Sequence, residues 1–62
     1  MIAHIYQYGN PEGMTVETRR VTELEDGQQF GHANERILVL GTLPNLRVMP
    51  MSQIDWFWVE EN

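Results

Sequence analysis

The sequence predicts a mostly β fold: a single small antiparallel sheet of about five strands, bent into a partly open barrel. Runs of β-branched and aromatic residues recur along the chain, and the two clearest are residues 36–41 and residues 54–60. Turn-forming residues separate these runs at short intervals. This spacing is typical of antiparallel strands joined by tight connections.

The length of the chain limits the fold to one small domain, residues 1–62. A domain of this size buries only about 60% of the surface that its unfolded chain exposes, so its stability is marginal. The chain has no cysteine, which excludes disulfides and thiolate metal sites and fits a reducing compartment. No apolar segment resembles a secretory signal or approaches the ~20 residues that span a bilayer. The expected location is therefore cytoplasmic, with no membrane contact.

The charge of the chain is acidic, because nine Asp or Glu residues stand against four Arg and no Lys, for a net charge of −5. A groove that follows a phosphate backbone needs clustered cations, so nucleic acid is an unfavoured partner. The same charge is compatible with binding to a basic protein surface.

The first predicted strand covers residues 2–8. Period two divides its side chains between two faces: Ile2, His4, Tyr6 and Tyr8 share one, and Ala3, Ile5 and Gln7 share the other. Residues 9–13 carry dense turn chemistry, which predicts a hairpin to the next strand.

Two interpretations are open for residues 14–25. The β-branched residues favour a strand, but Val16 and Val21 have opposite parity, so a bulge near Arg19 and Arg20 is needed to turn both inward. The alternative is a short helix over residues 15–25, with Thr15 as N-cap and Gly27 as the stop, which would make the fold α+β. The strand is the favoured interpretation.

The remaining strands are predicted from short apolar runs and the turns between them. Asp26 and Gly27 form a turn, and residues 28–35 are interpreted as a short strand and a loop. A strand over residues 46–50 ends at Pro50, which cannot donate to a ladder. Residues 51–53 form a tight connection, such as one turn of 3₁₀ helix, into the last strand.

Three quoted segments carry a family resemblance: L-E-D-G-Q-Q-F, I-L-V-L-G and L-R-V-M-P-M-S-Q-I-D-W-F, which together span residues 24–57. An acidic-glycine turn, an apolar strand and a last strand entered through a one-turn link recur in SH3-like and Sm-like barrels, which this pattern resembles. The resemblance implies a small barrel and carries no function with it.

Two strands lack the alternation that a sheet with one wet face requires. Residues 37–40 and residues 56–59 are apolar throughout, so each strand points large side chains to both faces. One face fills the core. The other is covered by residues 15–25, by the methionines Met14, Met49 and Met51, or by an interface.

The last strand raises the question of which aromatic side chains are exposed. Asp55 and Phe57 have the same parity, and a buried unpaired carboxylate is costly, so this pair is expected to face solvent or a partner. Trp56 and Trp58 share the opposite face, and both a core and an interface role stay open for them.

No constellation of residues indicates catalysis or a cofactor. His4 and His32 are the only histidines and lack metal-ligand spacing, and Ser52 is the only serine. The turn at residues 9–13 has no lysine with which to hold a phosphate. The expectation is a protein that is not an enzyme and that needs no cofactor or metal.

The function hypothesis is a small non-catalytic protein-binding module, such as a bacterial or phage accessory protein that inhibits or modulates a host protein by covering its surface. The same strand could instead join two copies in a homodimer. The candidate partner-binding residues are Trp56, Phe57, Trp58, Asp55, Arg19, Arg20 and Glu60.

Two alternative functions use other residues. An Sm-like or OB-like nucleic-acid binder would stack bases on Tyr6, Tyr8 and Phe30 and contact the backbone with the arginines. An acidic DNA mimic would imitate phosphates with a set of carboxylates: Glu23, Glu25, Asp26, Glu60, Glu61 and the terminal carboxylate.

Overall fold

The computed structural model describes residues 1–61 as two antiparallel sheets of three strands each. Sheet A has the order β2-β1-β6, and sheet B has the order β3-β4-β5. The strands are β1 (Ile2–Gln7), β2 (Met14–Glu17), β3 (Val21–Leu24), β4 (Ile37–Leu40), β5 (Arg47–Pro50) and β6 (Ile54–Glu60). Two 3₁₀ turns, Gln28–Phe30 and Met51–Gln53, are the helical elements among residues 1–61. Neither is long and apolar enough to cross a membrane.

The prediction of a mostly β, antiparallel fold is confirmed, and so is the 3₁₀ connection at Met51–Gln53. The arrangement of the strands differs from the prediction of one sheet with about five strands, because the chain forms six strands in two sheets that do not close into a barrel. No backbone ladder joins β2 to β3 or β5 to β6 within the described residues. The chain changes sheets at residues 18–20 and again at residues 51–53.

The strand interpretation of residues 14–25 is confirmed, and the helix alternative is wrong. The stretch is two short strands in different sheets, β2 and β3, with a turn at residues 18–20 between them. The Thr18 hydroxyl stabilises the turn by donating to the Arg20 carbonyl over 3.0 Å. Because the turn interrupts the alternation, Val16 and Val21 both pack on the core despite their opposite parity.

The predicted short strand within residues 28–35 is wrong, because this segment begins with the 3₁₀ turn Gln28–Phe30. Asp26 explains the local structure: its Oδ1 accepts hydrogen bonds from the backbone N–H groups of Gln28 and Asn34, each over 3.0 Å. Two bonds from one carboxylate close the loop without a ladder partner. A Cβ on the buried Gly27 would lie 2.8 Å from Ile37, so the loop backbone packs directly on β4.

The core lies between the two sheets. Sheet A contributes Ala3, Ile5 and Ile54, and sheet B contributes Leu38, Leu40 and Met49. Five partly buried side chains pack around this cluster: Met14, Val16, Val21, Met51 and Phe57. Both sheets therefore bury their inner faces against each other.

The second face of β4 is covered, which explains its unbroken apolar sequence. Ile37 and Val39 alternate with the core residues of β4, so they point to the outer face of sheet B, yet both are buried. The loop that follows β3 covers this face at Gly27 and Phe30. Residues 15–25 do not supply the cover as a helix, and the methionines Met14, Met49 and Met51 pack on the inter-sheet core instead.

A β-bulge at the start of β6 decides which of its side chains are buried. Tyr6 pairs with Trp56 and Gln7 pairs with Ile54, which leaves Asp55 without a partner on β1. The extra residue shifts the alternation, so Ile54 and Phe57, three positions apart, both reach the core. The prediction that Phe57 is exposed together with Asp55 is wrong for this reason: it assumed alternation without a bulge. Asp55 itself is exposed.

Candidate functional site

The outer face of sheet A carries two stacked aromatic pairs, which we call the aromatic face: His4, Tyr6, Trp56 and Trp58. The register of β1 and β6 places His4 opposite Trp58 and Tyr6 opposite Trp56. The His4 and Trp58 rings are 3.9 Å apart between centroids and 2° from parallel. The Tyr6 and Trp56 rings are 4.3 Å apart and 6° from parallel. Cross-strand pairs of this kind fix the rotamers of both partners and stabilise the sheet.

Gly13 supports the aromatic face from the side of β2. A Cβ at this position would lie 2.7 Å from both Cδ1 and Cε1 of Tyr6, so the Tyr6 ring rests on the glycine backbone. Gly13 also has a φ of +69°, which favours glycine over any L side chain. The position of Tyr6, and through it that of Trp56, therefore depends on the absence of a side chain at residue 13.

The two indoles are open on the side that faces away from β1. Because β6 is an edge strand of sheet A, no further strand lies beyond it within residues 1–61. Trp56 is 51% exposed and Trp58 is 41% exposed, although each ring is stacked on one side. One broad face of each indole is thus covered by its partner, and the opposite face is open at the edge of the sheet.

Carboxylates border the aromatic face. Glu60 Oε1 lies 3.6 Å from Nε2 of His4, which places this carboxylate beside the His4–Trp58 pair. Nε2 of His4 is buried and has no hydrogen-bond partner among residues 1–61, because its distance to Glu60 exceeds that of a hydrogen bond. Asp55, which precedes Trp56 in the chain, is exposed. Glu17 on β2 and Glu60 on β6 lie on either side of Ile2 on β1. The indoles therefore lie in a locally acidic surface.

The backbone of β6 is also free along its outer edge. Within residues 1–61, the backbone hydrogen bonds of residues 55–60 go to β1. The other three edge strands, β2, β3 and β5, have four residues each, whereas β6 has seven. β6 contains neither proline nor glycine. It is the longest uninterrupted edge that the described chain presents to a partner.

The two candidate arginines are not part of the aromatic face. Arg19 and Arg20 lie in the turn between β2 and β3, are exposed, and form no ion pair within residues 1–61. Arg19 lines an open depression of about 690 Å³ together with the loop after β4. Arg20 borders a groove on the outer face of sheet B. Five of the seven candidate residues thus belong to β6, and one of these five, Phe57, points into the core. The two arginines belong to other surfaces.

The groove on sheet B was not predicted from the sequence. It has a volume of about 300 Å³, and its lining includes Leu24, Phe30, Val39, Leu43 and Leu46. Leu43 is 81% exposed at its rim. The one sequence feature that could have indicated this groove is Leu43, which lies in the turn-forming sequence Thr-Leu-Pro-Asn, because turns seldom expose a large aliphatic side chain.

The aromatic residues of the nucleic-acid hypothesis are distributed over different surfaces. Tyr6 belongs to the aromatic face of sheet A, and Phe30 lies on the outer face of sheet B. Tyr8 is 65% exposed beyond the end of β1. These rings do not form one stacking platform of the kind that single-stranded nucleic acids use.

The acidic cluster of the DNA-mimic hypothesis has local partners. Arg36 lies 3.4 Å from Glu23 and 3.6 Å from Glu25, and Asp26 accepts the two backbone hydrogen bonds that close the loop after β3. These three carboxylates take part in local structure, and the single Arg36 offsets part of the negative charge of Glu23 and Glu25. The terminal carboxylate lies outside the described residues.

Residues 1–61 contain no group of three His, Asp or Glu side chains that could hold a metal ion. His4 is stacked in sheet A, while Nδ1 of His32 contacts Glu35 Oε2 over 3.1 Å in the loop after β3. The two histidines are thus separated, each with its own neighbour.

Comparison of the chain with protein-family models, with curated proteins and with solved structures found no match. What the fold and the site define is a small two-sheet β domain with an exposed aromatic face, an acidic border and a free edge strand.

Proposed function

We propose that this protein is a non-catalytic binding module that holds a basic segment of another protein on the aromatic face and β6. The observation that carries the proposal is the pair of indoles, Trp56 and Trp58, each stacked on one side and half exposed, with the Glu60 carboxylate beside the His4–Trp58 pair. Such a module modulates its partner by covering the basic surface that it binds, as expected of a small accessory protein that acts by occlusion.

Cations fit this surface for two physical reasons. A guanidinium or ammonium group over an indole gains about 0.5–1 kcal/mol when exposed and ~2 kcal/mol when desolvated. Carboxylates beside the same ring add charge-assisted hydrogen bonds to that cation. Arginine suits the site better than lysine, because its planar group stacks on the ring while its N–H groups reach the carboxylate.

The charge of the whole chain supports the same class of partner. A net charge of −5 in 62 residues attracts basic surfaces and accelerates their association at low salt. A second copy of the chain is the other occupant that the free edge admits, and the same charge opposes it, since both copies are acidic. Light scattering over a dilution series distinguishes the two: a dimer at working concentration would favour self-association over a basic partner.

The proposal is tested by titrating the protein with a labelled arginine-rich peptide and with a matched peptide in which glutamine replaces arginine. We expect the arginine peptide to bind, the glutamine peptide not to bind, and the affinity to fall as salt is raised. Trp58→Ala and Glu60→Gln should each weaken binding about tenfold, which corresponds to ~1.4 kcal/mol.

Leu43→Ala is the matched control, because Leu43 is an exposed apolar side chain in the loop between β4 and β5, at the rim of the groove on sheet B. It should leave the affinity unchanged. Equal binding by the Trp58→Ala variant and the unmodified protein would show that the aromatic face is not the site.

A further inference from the structure

We infer that the basic segment binds as an added strand on the free edge of β6, with its cationic side chains at alternate positions facing Trp56, Trp58 and Glu60. The inference rests on the proposed function and specifies the conformation and the spacing of the ligand. It predicts an extended sequence of the form basic–x–basic–x–basic.

The edge of β6 lacks most of the features that usually keep an edge strand from pairing with another chain. Edge strands that stay unpaired are usually short, or carry proline or lysine, or are covered by another element. In sheet B, β5 is short and ends at Pro50, and β3 is equally short. β6 runs for seven residues without proline, and the bulge at Asp55 interrupts it only at its beginning. Residues 56–60 therefore offer a regular edge for strand addition.

The side chains proposed to bind the cations are aligned along one face of β6. Trp56, Trp58 and Glu60 alternate along β6, and their partners on β1 are Tyr6, His4 and Ile2, which places all three on the outer face. Side chains two apart on a strand are separated by about 6.6–6.8 Å, and a neighbouring strand lies ~4.8 Å away. Three alternate residues of an added strand would thus lie beside Trp56, Trp58 and Glu60, whose carboxylate is 3.6 Å from His4 on the β1 side and turns toward the added cation on binding.

In the described part of the chain, the indoles of β6 are stacked on aromatic rings on the β1 side only. On the β1 side, Tyr6 covers Trp56 and His4 covers Trp58 with nearly parallel rings. A guanidinium on the added strand would cover the second face of each indole and extend both rows by one planar group. The residues between the cations would lie opposite Phe57 and Val59, which point to the core side, so valine is suitable at these positions.

The spacing separates a strand from other conformations. On a helix, residues two apart point in different directions, so basic–x–basic–x–basic cannot face one row of receptors there. A disordered basic segment held by charge alone has no preferred spacing.

The test compares a peptide containing Arg-Val-Arg-Val-Arg with a peptide of the same composition that contains Arg-Arg-Val-Val-Arg, in which no two arginines are two residues apart. We expect the alternating peptide to bind about tenfold more tightly. Two further versions of the alternating peptide carry N-methyl groups on one or the other alternate set of backbone amides. Only one set of N–H groups can point toward β6, so one version should lose binding and the other should retain it.

The outcomes separate this inference from the proposed function. Equal binding by both arginine spacings, or an equal effect of both N-methylation patterns, overturns strand addition, while the loss of binding in Trp58→Ala would still support the aromatic face as the site. If none of the arginine peptides binds at low salt, both the inference and the proposed function are wrong.

Discussion

At the scale of single residues, three successive aromatic side chains of β6 have different roles. Phe57 packs on the inter-sheet core, while Trp56 and Trp58 stack on Tyr6 and His4 at the surface. A core side chain stabilises mainly by the apolar area and the packing that it contributes. A surface pair contributes the smaller energy of a cross-strand contact.

Phe57→Ala and Trp56→Ala should therefore differ in their effect on the free energy of unfolding. We expect Phe57→Ala to destabilise by about 3 kcal/mol, the lower end of the range for aromatic core truncations, because Phe57 is only partly buried. Trp56→Ala should destabilise by about 1 kcal/mol, through the loss of its pair with Tyr6. Urea denaturation followed by circular dichroism measures both. If Trp56→Ala lowers the free energy of unfolding as much as Phe57→Ala does, the outer face of sheet A is buried.

At the scale of elements, the bulge at Asp55 determines the orientation of the whole last strand. Regular alternation would place Ile54 on the same face as Trp56, whereas the extra residue allows Ile54 to enter the core and both indoles to face outward. The turn at residues 18–20 does the same for Val16 and Val21. Two short irregularities thus turn an inconsistent apolar pattern into one core.

Deletion of Asp55 tests this role of the bulge. The pairs Gln7–Ile54 and Tyr6–Trp56 would become adjacent in a regular ladder, with Ile54 still inward and Trp56 still outward. We expect the free energy of unfolding to change by no more than about 1 kcal/mol and the β1–β6 register to persist in cross-strand NOEs.

Deletion of Phe57 is the control, because it reverses the face of every residue on one side of the deletion. It should destabilise more than Phe57→Ala does. If deletion of Asp55 unfolds the domain as readily as deletion of Phe57, the bulge is not a separable insertion in the strand.

At the scale of the whole molecule, the two sheets depend on one another, although no backbone ladder connects them within residues 1–61. Ile5 of sheet A and Leu38 of sheet B are both fully buried and belong to one hydrophobic cluster. Each sheet alone would expose its inner apolar face to water, so burial of the shared core stabilises both sheets together. The domain should therefore unfold as a single cooperative unit.

Leu38→Ala tests the cooperativity, because both tryptophans lie in sheet A and the substitution lies in sheet B. We expect the free energy of unfolding to fall by about 2–5 kcal/mol, which is a large part of the total stability of a domain this small. Tryptophan fluorescence and circular dichroism should report the same lowered urea midpoint. An unchanged fluorescence midpoint with a lowered circular-dichroism midpoint would show that sheet A is stable without sheet B.

The sequence by itself determined the local features of this protein. Runs of β-branched and aromatic residues identified most of the strands, and Pro50 with the residues after it located the 3₁₀ connection into β6. Period two correctly grouped Ile2, His4 and Tyr6 on one face, and it grouped Trp56 with Trp58. These features depend on residue preference and on alternation within a few positions, which are local properties.

Only the tertiary structure decided the division into two sheets and the identity of the open face. Which strand pairs with β6 depends on contacts between distant residues, and β1 and β6 come from opposite ends of the chain. Alternation states which side chains share a face, but not which face is covered, and the bulge at Asp55 reverses the answer for Phe57. The loop after β3 covers the outer face of β4, whereas Trp56 and Trp58 on the outer face of sheet A are exposed. That difference, which depends on what lies opposite each strand in space, makes β6 the candidate binding surface.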